Sequence, residues 1–169
     1  MTGFFGRSVL NDMENGLKGY IARLYGTHMR QVCAMEMYHL DNPELCMRSS
    51  YLDIVKSISN GCSFGYFEDG KLLAYSLAYP TEYGTAYIDK CFVSPERRGY
   101  GLQLLMLKKN IEALTSKGIK EVFTMVAPAN TYSIHNFMEC GFKFRRHASI
   151  EYERDIYRYE VEDIPTEAE

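Results

Sequence analysis

The residues best equipped for chemistry stand together in Val93-Ser94-Pro95-Glu96-Arg97-Arg98-Gly99-Tyr100-Gly101-Leu102-Gln103. A β-branched and aromatic run ends at Val93, and Leu104, Leu107, Ile111 and Leu114 then recur at helical spacing, so this is strand, tight loop, helix. Gly99 and Gly101 leave the backbone amides of the loop uncovered. The first amides of a helix have no partner within it and lie at the positive end of its dipole. Such an end holds an anion, and phosphate suits it best. Arg97 and Arg98 are placed to add positive charge. The loop is not a P-loop, because Leu102 and Gln103 follow where Lys and Ser/Thr belong. Nor is it the dinucleotide fingerprint, since position 104 is Leu and not Gly. Taken alone, it is equally compatible with a plain structural turn.

Arg98-Gly99-Tyr100-Gly101-Leu102-Gln103 resembles the Arg/Gln-x-x-Gly-x-Gly/Ala signature of the GNAT superfamily of acyl-CoA-dependent N-acetyltransferases. Gln103 departs from it, standing where Gly or Ala is usual, and its side chain either crowds a pyrophosphate or offers it an amide donor. A second stretch, Asn130-Thr131-Tyr132-Ser133-Ile134-His135-Asn136-Phe137-Met138-Glu139-Cys140-Gly141-Phe142, resembles the family's other landmark, Asn-x-x-Ala/Ser followed by a short helix ending in Gly-Phe. The resemblance covers the second half of the chain well and the first half only through its pattern of elements.

The resemblance implies acetyl-CoA as cosubstrate and a primary amine as acceptor, with direct transfer in a ternary complex. Arg97, Arg98, Gly99, Tyr100, Gly101, Leu102 and Gln103 would wrap the pyrophosphate. The main chain of Phe92 and Val93 would hold the pantetheine, and Asn130, Ser133 and Asn136 belong to the same cofactor side. An ammonium with pKa near ~10.4 is neutral in about one molecule in a few thousand at pH 7, so a base is needed. Asp89, on the strand before the loop in the alternation Tyr87, Asp89, Cys91, is the first candidate and Glu82 the reserve. The plainer reading of Asp89 is an exposed carboxylate paired with a nearby base. Phe137 occupies the position where many members carry a Tyr that protonates the departing thiolate. Its ring, packing beside Ile134 and Met138, has no proton to give, and Tyr132 or Tyr157 is the substitute if an acid is required. A CoA-sensing module of the same fold and a nucleotide-phosphate binder are the rival readings.

The elements that must position these residues follow from pattern. A first strand is expected over Tyr20 to Tyr25, then a helix capped by Thr27 and running to about His39, with Val32, Met35 and Glu36 on its amphipathic face. After a loop from His39 to Ser49 containing Asn42-Pro43, a second helix spans Ser50 to Ser59 and closes at Asn60-Gly61. Ser63 to Phe67 and Lys71 to Tyr79 flank Asp69-Gly70 as a hairpin. A fourth strand is expected over Thr85 to Val93, a long helix from Gly99 to Gly118, a fifth strand over Ile119 to Val126, and a short helix between Asn130 and Gly141. Phe142 to Ala148 and Tyr152 to Val161 read as a closing antiparallel pair, and Met1 to Gly16 as a short helix or an arm. This order resembles a GNAT-like α/β (α+β) fold: a mixed, mostly antiparallel sheet of six to seven strands, splayed between the fourth and fifth, with about four helices.

Composition bounds the rest. A chain of 169 residues suits one domain over 1–169. The formal charge of -3 argues against a general nucleic-acid binder. Basic residues gather at Lys90, Arg97, Arg98, Lys108, Lys109, Lys117 and Lys120 against Glu96 and Glu112, and a solvated helix face accounts for Lys108, Lys109 and Lys117. Cys33, Cys46, Cys62, Cys91 and Cys140 form no Cys-x-x-Cys pair and are odd in number, a thiol set for a reducing compartment with no metal site. Cys91 and Cys140 read as small buried hydrophobes, and His39 and His135 as surface or capping histidines. Asp12 and Glu14 interrupt any leader-like run, and no apolar stretch approaches the ~20 residues of a membrane span. A cytoplasmic protein without a membrane partner is expected, with homodimerisation left open.

Overall fold

The computed structural model describes residues 17–38, 49–149 and 154–160. The arm Met1 to Gly16, His39 and most of the loop after it, and Tyr152, Val161 and Cys46 lie outside the described residues. Seven strands, β1 (Tyr20–Arg23), β2 (Phe64–Glu68), β3 (Lys71–Pro80), β4 (Thr85–Val93), β5 (Glu121–Val126), β6 (Lys143–Ser149) and β7 (Arg154–Glu160), make one sheet ordered β1-β2-β3-β4-β5-β7-β6. Only β4 and β5 run parallel; the other neighbours are antiparallel. Among the described residues four helices join them: α1 (Met29–Glu36), α2 (Tyr51–Ser59), α3 (Leu102–Thr115) and α4 (Thr131–Glu139). The expected mixed α/β sheet is what the chain forms. Among the described residues no helix is long and apolar enough to cross a membrane.

Local chemistry explains most of the boundaries. Asp69 (φ 48°) and Gly70 (φ 77°) both take the left-handed conformation, the geometry a two-residue hairpin turn needs to match strand twist. Ser50 caps α2 by accepting the Asp53 N–H at 3.2 Å, while Asp53 returns a bond to the Ser50 N–H. Asn130 caps α4 through the Ser133 N–H, also at 3.2 Å.

Three expectations need correction. Thr27 is not the cap of α1: residues Gly26–His28 form a 3-10 turn, closed by His28 Nδ1 accepting the Tyr25 N–H at 2.9 Å, and α1 starts at Met29 without a side-chain cap. The long helix starts at Leu102 and not at Gly99, because Gly99 (φ 86°) and Gly101 (φ 71°) are left-handed and a right-handed helix cannot contain them. The alternation Tyr87, Asp89, Cys91 is broken by a bulge. Leu77 pairs with Lys90 and Ala78 with Ile88, so Asp89 is an extra residue opposite β3. Cys91 therefore turns to the face of the sheet that α3 and α4 cover, with Ile88, Met106, Leu107 and Phe137. Phe92 and its neighbours on β3, Tyr75 and Leu77, face α1 and α2, against Val32, Ile54 and Ile58.

Candidate active site

The candidate cofactor side lies where β4 and β5 part. Their ladder holds only from Thr85 opposite Glu121 to Tyr87 opposite Phe123. Beyond it the Thr124 hydroxyl donates to the Ile88 carbonyl at 3.0 Å, closing the apex of a V that opens toward Val93 and the glycine loop. A Cβ added at Gly99 or Gly101 would meet nothing within 4 Å, so the loop is an open cradle in front of the uncapped first turn of α3. Left-handed backbone and open space together fit a group of phosphate size and charge.

Each predicted neighbour of the cradle has a definite place. Gln103 donates to Ser133 Oγ at 3.0 Å and accepts from Asn136 Nδ2 at 2.9 Å. Its amide thus ties α3 to α4, which is what the departure from Gly/Ala does in this chain. Arg98 is exposed; its Nε donates to the Val93 carbonyl at 3.2 Å and its guanidinium lies over the Tyr38 ring at 5.6 Å. Tyr100 is exposed and Leu102 is in the core. Arg97 is directed elsewhere, onto Glu68 of β2, through Nε at 2.8 Å and a terminal nitrogen at 2.5 Å. Tyr66 completes this clip, donating its hydroxyl to Glu68 at 2.7 Å and accepting the Gly19 N–H at 2.9 Å. Arg97 in this conformation anchors the loop to the sheet.

The clip has a pH signature. The Arg97 guanidinium, with help from the Tyr66 hydroxyl, holds the Glu68 carboxyl down to about 2 against the opposing effect of burial. A depressed carboxyl stabilises the fold above its unfolded value and loses that contribution as pH falls through the folded one. Glu68→Gln is therefore expected to melt a few degrees below the parent at neutral pH. The gap should close as pH drops from the ordinary carboxylate range toward 2, and thermal melts at stepped pH measure it.

On the other face, Asp89 is half-buried and accepts the Ser49 hydroxyl at 2.8 Å. Ser49 also gives its N–H to Glu36 Oε2 at 2.8 Å, and the same oxygen accepts Lys90 Nζ at 2.9 Å. Glu36 takes the Tyr75 hydroxyl on its second oxygen. Glu36 and Lys90 are 0% and 4% exposed, so a fully buried ion pair lies beside the candidate base. Burial pushes the Asp89 carboxyl up; Ser49 and Lys90 pull it partly back, and Asp53 and Glu36 push with burial. Glu82 is exposed in a 3-10 turn before β4, and the structure does not bring it to Asp89.

Phe137 is 4% exposed and meets the Phe142 ring edge-on at 5.1 Å. Ile134 packs against the same core, but Met138, expected beside Phe137, is 56% exposed because it follows on the outer face of α4. Tyr132 projects from α4 at 86% exposure, and Tyr157 is buried at 4%. His135 lies on the surface of α4, 3.6 Å from Glu139, in keeping with a surface role.

Past the apex of the V, on the Asp89 face, a cleft of about 430 Å³ has Tyr87, Phe123, Met125 and Ile156 as its floor and Arg145, Arg146 and Arg158 around it. Sequence reasoning missed this cleft and the Ser49, Glu36 and Lys90 cluster. The available signals were the Arg145-Arg146 doublet after Gly-Phe and Glu36 standing four residues after Val32 on a buried helical face.

The comparisons agree with this geometry. Residues 31–142 match the family described as Acetyltransferase (GNAT) family. No curated protein sequence matches significantly. Among solved structures, PaiA N-acetyltransferase from Thermoplasma acidophilum in complex with coenzyme A superposes with TM-score 0.70 at 17% identity, covering 86% of this chain and 100% of that one. Diaminobutyrate acetyltransferase EctA from Paenibacillus lautus, in complex with L-2,4-diaminobutyric acid and coenzyme A, gives 0.71 at 15%, covering 88% and 99%. A phosphinothricin acetyltransferase from Sinorhizobium meliloti in complex with AcCoA gives 0.71 at 14%, covering 86% and 89%. At these identities the structures establish the fold alone, and the family rests on the match over residues 31–142, which includes both motifs and the parted strands: this chain belongs to the acetyltransferase (GNAT) family.

Proposed function

We propose that the protein is an N-acetyltransferase that uses acetyl-CoA to acetylate a primary amine by direct transfer, within a single domain working in a cytoplasmic, reducing setting. The observation that carries the reading is the placement of Asp89. A carboxyl raised by burial sits on a bulge of the strand whose far end leads into the open glycine cradle. Coenzyme A complexes of the same fold support the choice of cosubstrate.

Acetyl-CoA supplies a thioester-activated acetyl group. The bare amides at Gly99 to Gln103 hold its pyrophosphate, with Arg98 beside them at the surface, and β4 at Phe92 and Val93, beyond the end of its ladder with β5, takes the pantetheine. Gln103, Ser133 and Asn136 hold α4 against the cradle, and Asn130 caps that helix. An amine must lose its proton before it can attack, a cost on the order of 4 to 5 kcal/mol at neutral pH for a lysine-like group. Asp89 accepts that proton. A base whose pKa has risen toward the working pH does this better than an ordinary carboxylate, and Ser49 fixes its orientation. Phe137 cannot protonate the leaving thiolate. A thiol of pKa near ~8.5 leaves without such help, and water protonates it afterwards.

Two titrations and two rate measurements test the reading. Acetyl-CoA should bind in calorimetry where ATP does not, and acetyl-CoA with a primary amine should release free thiol. Binding without turnover on any amine would make the protein a sensor of the same fold, and ATP binding would make it a nucleotide binder. In single turnover, Tyr132→Phe and Tyr157→Phe should keep the parent's pH profile. An alkaline limb lost in either variant would show that a tyrosine supplies the acid.

A further inference from the structure

We propose that the amine acetylated here carries a carboxylate at the end remote from the amine, with an apolar body between the two. The inference rests on the acetyltransferase reading and adds the acceptor's chemical class. The cleft beyond Tyr87 is of small-molecule size, at 430 Å³. Its floor of Tyr87, Phe123, Met125 and Ile156 is apolar, and Tyr87 meets the ring of Tyr79, the tyrosine on which the Asp89 charge acts, so cleft and Asp89 share a face of the sheet.

The wall is basic, and a second bulge makes it so. In β6 Phe144 pairs with Tyr157 and Arg146 with Ile156, which leaves Arg145 as an extra residue. Consecutive strand residues ordinarily face opposite ways, but the bulge lets Arg145 and Arg146 border one cleft. Arg158 is held by Glu121 at 3.5 Å and by Glu160, and its guanidinium lies 6.0 Å from the centre of the Phe123 ring. Arg145 is held by Glu160 at 2.7 Å. Arg146 has no hydrogen-bond or ion-pair partner among the described residues, so its charge is uncompensated and available. A guanidinium in this position matches the two oxygens of a carboxylate.

Polarity along the cleft follows. Asp89 stands two residues along β4 from Tyr87, level with Met125 on β5, and Met125 pairs with Ile156 and Ile156 with Arg146, so Arg146 lies three strand spacings across, at least about 14 Å between main chains. The long Arg146 side chain at one end narrows that interval to the reach of a short carbon chain. A positively charged amine at Asp89 and a negative group at Arg146 complement this field. A polyamine or a lysine-rich tail would set a second positive charge against the arginines.

Three acceptors of equal length test it: 6-aminohexanoate, hexylamine and 1,6-diaminohexane, each with saturating acetyl-CoA. The expected order of kcat/KM is 6-aminohexanoate, hexylamine, diamine, with at least a tenfold span. Arg146→Glu should reverse the order of the first and last, while Arg146→Lys keeps it, and the KM for acetyl-CoA should stay within twofold in both variants. If the diamine is used as well as 6-aminohexanoate, or the order survives Arg146→Glu in a protein that melts like the parent, this proposal falls and the acetyltransferase reading stands. If acetyl-CoA binds but no amine of any charge is acetylated, both fall.

Discussion

Asp89→Asn is expected to lower kcat/KM by about 10²–10⁴-fold at neutral pH, the range that general-base removal carries. The variant keeps the size of the side chain and an oxygen for the Ser49 hydroxyl at 2.8 Å, so positioning is conserved while basicity is lost. The deficit should shrink as pH rises and the amine sheds its proton unaided; a loss of equal size at every pH would assign Asp89 to positioning instead. Stability should move the other way. Burial raises the folded carboxyl above its unfolded value near ~3.9, so its ionisation opposes folding. That opposition is absent below the unfolded value and complete above the folded one. Asp89→Asn should therefore melt above the parent at pH 7 and lose its advantage in acid. A variant both slower and more stable is what a strained base predicts.

Gly101→Asp is expected to weaken acetyl-CoA at least about 100-fold, roughly 3 kcal/mol, by calorimetric titration. Gly101 has φ 71° and open space where a Cβ would go, so the substitution meets no clash and adds two separable effects. One is the backbone penalty of a side chain in the left-handed region, and the other is a negative charge facing a pyrophosphate. Gly101→Ala carries the first without the second and should bind between parent and Asp. Affinity for Gly101→Asp within about threefold of the parent, a difference under roughly 1 kcal/mol, removes the loop from the site.

The parts of this molecule legible from its sequence are those set by near neighbours. Asp69-Gly70, Ser50, Asn130 and the limits of β4 were readable because turn and cap chemistry acts over a few residues. The glycine cradle was readable for the same reason, and with it the family. Asp89 was identifiable as a residue, yet its environment was not, since the bulge that carries it exists only through pairing with β3. Arg97 illustrates the same limit. From sequence it belongs with Arg98 on the ligand side, and only the position of Glu68 on a separate strand draws it away. The Arg145-Arg146 doublet was visible, but simple alternation would have parted the two, and the bulge opposite β7 keeps them together.

The ion pair between Glu36 and Lys90 has a consequence for how this chain can vary. Neither charge reaches water, and losing one partner strands the other at a cost of about 3 to 5 kcal/mol, whereas exchanging both for matched apolar residues is often neutral. Single substitutions at either position are thus closed routes, and a paired one must also replace the acceptor that Glu36 offers the Ser49 N–H and the Tyr75 hydroxyl. The two positions, 54 residues apart, are expected to change together or not at all among descendants of this sequence, linking α1 to the strand that bears Asp89.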